Sequence, residues 1–253
     1  MRLDDGASLC HAEAMRLTQR DADILHSLDH FGQLDSGHIW DLHFHGLKSK
    51  KSWDQVSSRL TRDRFIVKLG RRMVMGDGAG SGKAVYQLGA EGARFLGRRG
   101  AFRLRFSAVS EHRLKVADAF TELRALEHAG MIKLLGYLCE PDSHMRLAGV
   151  TVRPDLFVDF QDIGRGVQIR LWLEIDRDKE NRPQIEAKIR DYVHVFDDWQ
   201  TVREVLDPIP RVVFLADSEI GRHNLLGYLK GKTGDWPDLF VVDDLAGWAA
   251  RLC

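Results

Sequence analysis

The stretch that decides the fold of this chain is residues 153–192, which reads RPDLFVDFQDIGRGVQIRLWLEIDRDKENRPQIEAKIRDY. An apolar run at residues 156–160 follows Asp155, and a turn with two glycines joins it to a second run at residues 167–176. In the second run apolar side chains alternate with Gln, Arg, Trp, Glu and Asp, which is the period of a β-strand. The two runs therefore predict a β-hairpin with one apolar face.

Three carboxylates are expected at one end of this hairpin. Glu174 and Asp176 share a strand face, about 7 Å apart, and the hairpin brings Asp155 beside them. Carboxylates this close repel each other unless a cation lies between them, and oxygen ligands suit Mg²⁺ or Mn²⁺. The sequence thus predicts a Mg²⁺ or Mn²⁺ site formed by Asp155, Glu174 and Asp176.

A helix predicted at residues 182–198 adds a basic group. Gln184, Lys188 and Tyr192 recur every four residues and line one edge of that helix. An Asp, a Glu on the next strand and a helix with a Lys resemble the PD-(D/E)XK nuclease fold. The resemblance implies a mixed sheet flanked by helices, metal-dependent cleavage of DNA, and a Lys that orients water or stabilises phosphate charge. In that family the Lys follows the Glu by two residues; Asp176 stands there, so Lys188 would take the role.

The same acidic residues also fit a structure without a metal. Residues 176–180 would then form a solvated, charged turn at the end of the strand. A carboxylate that is buried without a cation needs a basic partner, and Arg153 or Lys188 would supply it.

The charge of the chain is unevenly distributed although its formal net charge is zero. Residues 46–105 hold fifteen Lys or Arg and four Asp or Glu, a balance of 15 − 4 = +11, and the rest carries 22 − 33 = −11. A basic block of this kind is typical of proteins that bind a polyanion, most simply nucleic acid. The alternative is a basic surface that only aids solubility.

Residues 18–99 predict a winged helix-turn-helix domain. Thr18 fits the N-cap of a first helix, with Asp21 in its first turn, and Gly32 ends that helix. The further predicted elements are a helix from residue 35, a helix at 52–63, strands at 67–75 and 83–88, and a helix at 90–99. The glycine-rich sequence GDGAGSG joins the two strands as the tip of the wing.

The third helix of this domain is the element expected to read DNA. In the major groove its Gln, Ser and Arg side chains would contact base edges, while the lysines before it and the basic residues of the wing would contact phosphates. The predicted DNA-binding residues are Lys48, Lys50, Lys51, Gln55, Ser58, Arg59, Arg62, Arg71, Arg72 and Lys83. Winged helices also serve as protein-interaction modules, and an adaptor function is the weaker alternative.

Several other classes of protein do not fit the sequence. A P-loop ending at Lys83 would need glycine where Asp77 stands and Ser or Thr where Ala84 stands, so no nucleotide cofactor is expected. The three cysteines are widely spaced and form no CxxC pair, which fits a reducing cytoplasm. No apolar run approaches the length of a membrane span, so no membrane partner is expected.

The predicted fold class is α/β, with two domains. The expected order is a flexible N-terminus at 1–17, the winged helix at 18–99, a basic linker at 100–109 and an α/β domain at 110–253. The second domain is predicted to open with a helix at 110–128 and a strand at 131–139. A strand at 212–216, a helix at 219–230 and a strand at 239–242 are predicted to close it.

Motifs along most of the chain resemble the replication-relaxation family of plasmid and mobile-element proteins. They are LTQRDADILHSLDHFGQLDSGHIWDL, VYQLGAEG and HRLKVADAF in the first half, and RPDLFVDF, WLEIDRDKE and IEAKIRDY within residues 153–192. The resemblance implies binding of double-stranded DNA in plasmid or mobile-element replication or DNA relaxation.

Two functions are compatible with these patterns. The first is a metal-dependent DNA endonuclease or nickase whose catalytic site is formed by Asp155, Glu174, Asp176 and Lys188. The second is a non-catalytic DNA-binding initiator or transcriptional regulator that uses a degenerate nuclease fold for dimerisation. A homodimer is expected in both cases, because winged helices and nucleases of this fold often act on duplex DNA as two-fold dimers.

Overall fold

The computed structural model describes residues 17–73, 82–98, 108–177 and 181–252. The chain divides into two compact units, Met1–Val109 and Ser110–Cys253. Both mix helices with strands, so the predicted α/β class is confirmed. Residues 1–16 of the predicted N-terminus (1–17), residues 74–81 at the predicted wing tip, residues 100–107 of the linker and residues 178–180 of the predicted charged turn lie outside the described residues.

The first unit contains a small antiparallel sheet surrounded by helices. Its elements are α1 (Gln19–Phe31), β1 (Leu34–Asp35), α2 (Ser36–His43), α3 (Lys51–Arg62), β2 (Ile66–Arg72), β3 (Lys83–Leu88) and α4 (Ala90–Phe95). The strands lie in the order β1-β3-β2, and both pairs are antiparallel. The helices begin and end within a few residues of the predicted positions, because strong local signals fix most of their ends.

Side-chain caps start the first two helices of this unit. Thr18 accepts a hydrogen bond from the backbone N–H of Asp21, and the Asp21 carboxylate accepts one from the N–H of Thr18, which is the capping box expected from the sequence. Asp35 and His38 form the equivalent pair for α2. Gly32 ends α1 with φ 73°, a left-handed conformation that favours glycine.

The second unit is built on one mixed sheet. Its strands are β4 (Ile132–Cys139), β5 (Met145–Leu147), β6 (Val150–Val152), β7 (Leu156–Asp162), β8 (Val167–Asp176), β9 (Arg211–Ala216) and β10 (Phe240–Asp244). Its helices are α5 (Glu111–His128), α6 (Arg182–Asp197), α7 (Trp199–Val202) and α8 (Glu219–Leu229), with short 3-10 turns at Pro237–Leu239 and Ala249–Arg251. Among the described helices, none combines the length and apolar character needed to cross a bilayer.

The order and direction of the strands define the topology of the second unit. The main sheet has the order β10-β9-β8-β7-β4, in which β4, β7 and β8 are antiparallel neighbours and β8, β9 and β10 are parallel. Helix α6 provides the crossover from β8 to its parallel neighbour β9, as parallel pairing requires. The small hairpin β5–β6, which the sequence did not reveal, packs β6 against α6.

Strand β8 differs from the predicted pattern of one apolar and one polar face. From Leu171 to Asp176 every side chain is buried, including Trp172, which stacks with Phe196 of α6 at 6.0 Å between ring centroids. The strand lies between β7 and β9, and α6 covers the face that carries Trp172 and Glu174. Apolar and polar residue types do alternate along β8, but both faces of the strand are buried from Leu171 to Asp176.

Candidate functional site

Asp155 precedes β7 and lies opposite Glu174 of β8. The register pairs Leu156 with Leu173, so the next positions outward are Asp155 and Glu174. Asp155 Oδ2 accepts a hydrogen bond of 2.7 Å from the backbone N–H of Ile175, and the residue is 8% exposed. The predicted hairpin therefore brings these two carboxyl groups together.

Glu174 is held by two side chains of helix α6. Lys188 Nζ donates to Glu174 Oε2 at 2.7 Å, and the hydroxyl of Tyr192 donates to Glu174 Oε1 at 2.6 Å. The two donors are one helical turn apart, so the edge predicted from their spacing is the face that contacts the sheet. Gln184, predicted on the same edge, instead bonds its side chain to the backbone N–H of Asn181 and caps the helix.

Burial shifts the pKa values of Glu174 and Tyr192. It raises the pKa of Glu174 from 4.5 to about 7, with the neighbouring Asp155 charge adding to the rise and Lys188 opposing it. The pKa of Tyr192 is raised well above its usual value, first by burial and then by the Glu174 charge. Near neutral pH, Glu174 therefore titrates while Tyr192 remains a hydrogen-bond donor.

Two residues that the sequence did not single out complete the surroundings of Asp155. His112, in the first turn of α5, places Nε2 at 3.0 Å from Asp155 Oδ1, and this hydrogen bond raises the pKa of the imidazole. Glu140 follows β4 and donates its backbone N–H to the carbonyl of Asp155 at 3.3 Å. One ligand atom each from His112, Glu140 and Asp155 lies within 4.8 Å of the others.

Within the described residues, these three side chains form a group whose potential metal-ligand atoms converge. One nitrogen and two carboxylate oxygens are a donor set that fits a divalent cation. Glu174 is not part of the group, and its two oxygens accept hydrogen bonds from side chains of α6. Asp176 is 6% exposed, lies two residues further along β8 and is also outside the group.

The predicted DNA-binding residues of the first unit differ in their exposure. Those that are exposed are Lys48, Lys50, Lys51, Gln55, Ser58, Arg62 and Arg71. Arg59 is half-buried and bonds to the buried Asp21 at 2.7 Å, while Lys83 is half-buried beside Gly37. Arg59 is therefore partly committed to a contact within the unit.

The structure corrects the prediction that Arg72 contacts a DNA phosphate. Its side chain is 6% exposed, and its guanidinium lies 3.3 Å from the carboxylate of Asp35, which is fully buried. Adjacent residues of a strand point to opposite faces, so Arg71 faces outward while Arg72 faces inward. Arg72 is a structural residue and not the phosphate contact that the sequence suggested.

A comparison with protein families identifies the chain. The model of the replication-relaxation family matches residues 25–208, a span that includes Asp155, Glu174 and Lys188. The chain belongs to the replication-relaxation family. Membership indicates a role in plasmid or mobile-element replication or relaxation. A search of curated proteins and a search of solved structures each found no match.

Strand register is the signal that would have revealed Glu140 in this replication-relaxation protein. Cys139 pairs with Leu156, so Glu140 follows directly beside Asp155, just as Glu174 does on the other side. His112 had no comparable signal, because the packing of α5 against the sheet cannot be derived from local sequence.

Proposed function

We propose that this replication-relaxation protein binds double-stranded DNA through its first unit and cleaves or nicks DNA with its second unit. The observation that carries the proposal is the buried pair Asp155 and Glu174 with Lys188 bonded to Glu174. Two acids at neighbouring positions of adjacent strands, with a lysine from the helix that covers them, form a constellation suited to phosphodiester hydrolysis.

The topology of the second unit supports this proposal. Apart from the β5–β6 hairpin and the short helix α7, the chain order is a helix (α5), three antiparallel strands (β4, β7 and β8), a crossover helix (α6) and a parallel strand (β9). Asp155 lies just before β7, Glu174 lies near the end of the neighbouring strand β8, and Lys188 lies on the crossover helix. An Asp, a Glu on the next strand and a Lys on the following helix are the order on which the resemblance to the PD-(D/E)XK fold rests.

Each residue has a defined task in such a reaction. A divalent cation bound beside Asp155 would polarise the phosphate and lower the pKa of a bound water. Lys188 supplies positive charge beside the carboxyl groups, where it would stabilise a developing phosphate charge. The pKa of Glu174, raised by burial to about 7, allows this group to accept and release a proton near neutral pH.

The first unit supplies a surface suited to duplex DNA, and we propose that it acts as a winged helix. Helix α3 exposes Gln55, Ser58 and Arg62, and exposed lysines lie just before it and in its first turn. Side chains of these types contact base edges and phosphates respectively. A homodimer would present two copies of α3 to two half-sites.

A non-catalytic DNA-binding initiator or regulator is the second candidate. Two observations favour it: both oxygens of Glu174 already accept hydrogen bonds, and Asp176 stands where the nuclease family has its lysine. In this function the contact of Lys188 with the buried Glu174 is structural, and the second unit acts as a scaffold or dimerisation module.

Incubation with supercoiled plasmid separates the two candidates. The full chain is added with Mg²⁺ or Mn²⁺, and DNA binding is measured in parallel by fluorescence anisotropy. Cleavage predicts nicked or linear product that EDTA abolishes. Duplex binding that is unchanged in EDTA, without product in either metal, would support the non-catalytic function instead.

A further inference from the structure

We propose that His112 and Glu140 act with Asp155 as ligands of a metal site that prefers Mn²⁺ to Mg²⁺. The inference concerns the same site as the proposed function and extends it by naming two ligands and the class of ion. The three residues come from α5, the end of β4 and the start of β7, so three different elements hold the donor atoms in place.

The distances between the donor atoms fit coordination of one ion. His112 Nε2 and Asp155 Oδ1 are 3.0 Å apart. Two ligands at right angles, each about 2.1 Å from an octahedral ion, are separated by roughly the same distance. The third atom, from Glu140, lies within 4.8 Å of both. A neutral imidazole and two carboxylates carry two negative charges together, which balances a divalent ion.

The orientation of Asp155 is fixed independently of any ion. Its Oδ2 accepts the backbone N–H of Ile175, and its Oδ1 faces the imidazole of His112. Ligands that are held by a second contact of this kind bind metal with less rearrangement. Lys188 bonds to Glu174, so its ammonium group is engaged on the neighbouring carboxyl.

A second histidine lies beside the Glu140 carboxylate. His144 Nε2 is shielded from solvent and lies 3.3 Å from Glu140 Oε1 without forming a hydrogen bond, while the rest of its side chain is partly exposed. Carboxylates that bind a metal usually have an outer hydrogen-bond partner, and His144 is placed to serve as that partner for Glu140.

The nitrogen ligand determines the preferred ion. Mg²⁺ favours oxygen ligands and retains several waters, whereas imidazole binds first-row transition ions more strongly. Mn²⁺ accepts both carboxylate and imidazole. The site is therefore expected to bind Mn²⁺ more tightly than Mg²⁺, so that an equal concentration of Mg²⁺ does not displace Mn²⁺.

The test measures Mn²⁺ binding to the full chain without DNA, from the loss of the electron paramagnetic resonance signal of free Mn²⁺. We expect one bound Mn²⁺, displaced by Mg²⁺ only at an excess of about tenfold or more. His112→Ala and Glu140→Gln should each raise the Kd for Mn²⁺ about tenfold or more. His223→Ala and Glu204→Gln, at exposed positions of the same unit, are the matched controls and should leave it unchanged.

A measurement on the unaltered chain covers the case in which a variant fails to fold. Substoichiometric Mn²⁺ should broaden the nuclear magnetic resonance signals of the His112 imidazole more strongly than those of His223. The inference would be overturned if the chain bound no Mn²⁺, or if neither substitution changed the Kd for Mn²⁺.

The inference and the proposed nuclease can fail separately. Mn²⁺ binding that depends on His112, without DNA cleavage, would uphold the metal site and contradict the nuclease. DNA cleavage with an unchanged Kd for Mn²⁺ in both variants would uphold the nuclease and contradict the metal site.

Discussion

Lys188 Nζ lies 2.7 Å from Glu174 Oε2, and this contact fastens helix α6 to the central strand β8. The carboxyl group is 3% exposed and the lysine side chain 29% exposed, so water screens the contact only from the lysine end. Tyr192 binds the other carboxylate oxygen from the next turn of the helix. The pair is therefore both a structural contact and the centre of the proposed site.

Replacing the lysine tests the structural part of this contact. Lys188→Met leaves a buried carboxylate without its cation and should lower the free energy of unfolding by about 2 kcal/mol at pH 8. The loss should be smaller at pH 5, where Glu174 is protonated. Urea unfolding measures both values. Arg182→Gln on the same helix removes an exposed ion pair with Glu186, which water screens, so this control should leave the free energy of unfolding nearly unchanged at both pH values. Equal losses at both pH values would contradict the assignment.

The raised pKa of Glu174 predicts how stability depends on pH. Burial raises this pKa from 4.5 to about 7, so between these values the folded state holds a proton that the unfolded state has lost. The contribution to stability is complete below pH 4.5 and is lost as the pH rises toward 7, by at most about 1.4 kcal/mol per pH unit. Glu174→Gln should flatten the dependence in EDTA-containing buffer. If the free energy of unfolding of the variant and of the wild type depended on pH in the same way, a raised pKa of Glu174 would be excluded.

Arg71 and Arg72 provide a matched pair on opposite faces of β2. Arg72→Met breaks the buried contact with Asp35 and should destabilise the first unit by about 3 kcal/mol. Arg71→Met removes an exposed cation and should change stability by less than about 0.5 kcal/mol while weakening DNA binding. Urea unfolding and fluorescence anisotropy measure the two effects. A stable Arg72→Met variant with reduced DNA affinity would restore Arg72 to the interface.

The salt dependence of DNA binding tests the lysines at the start of α3. Each phosphate contact contributes about 0.9 to the slope of log K against log salt concentration. Lys50→Ala combined with Lys51→Ala should therefore reduce the slope by about 1.8 for any duplex sequence. Lys133→Ala, at an exposed position of β4 in the other unit, should leave the slope unchanged. An unaltered slope in the double variant would remove these lysines from the interface.

Most of the secondary structure could be predicted because its signals are local. The capping box of Thr18 and Asp21 and the spacing of Lys188 and Tyr192 both appear in the sequence and recur in the structure. The opposition of Asp155 and Glu174 also followed, because a short hairpin fixes the register of its strands.

Contacts between distant segments could not be predicted in this way. The pairing of β4 with β7 brings Glu140 beside Asp155. The packing of α5 brings His112 into contact with Asp155. The inward direction of Arg72 depends on Asp35, which lies 37 residues earlier in the chain. Local patterns reveal which side chains share a face, but tertiary packing decides which face is buried.

The most direct test of the proposed site is the rate at which supercoiled plasmid is nicked by wild type and by Asp155→Asn, at equal DNA occupancy and with saturating Mn²⁺. The substitution keeps the size of the side chain and removes the charge beside Glu174. We predict EDTA-sensitive nicking by wild type and a loss of at least about 100-fold in the variant, with duplex affinity unchanged. Equal rates for the two proteins, or no nicking by wild type while it is bound to DNA, would contradict a cleavage site at Asp155 and Glu174.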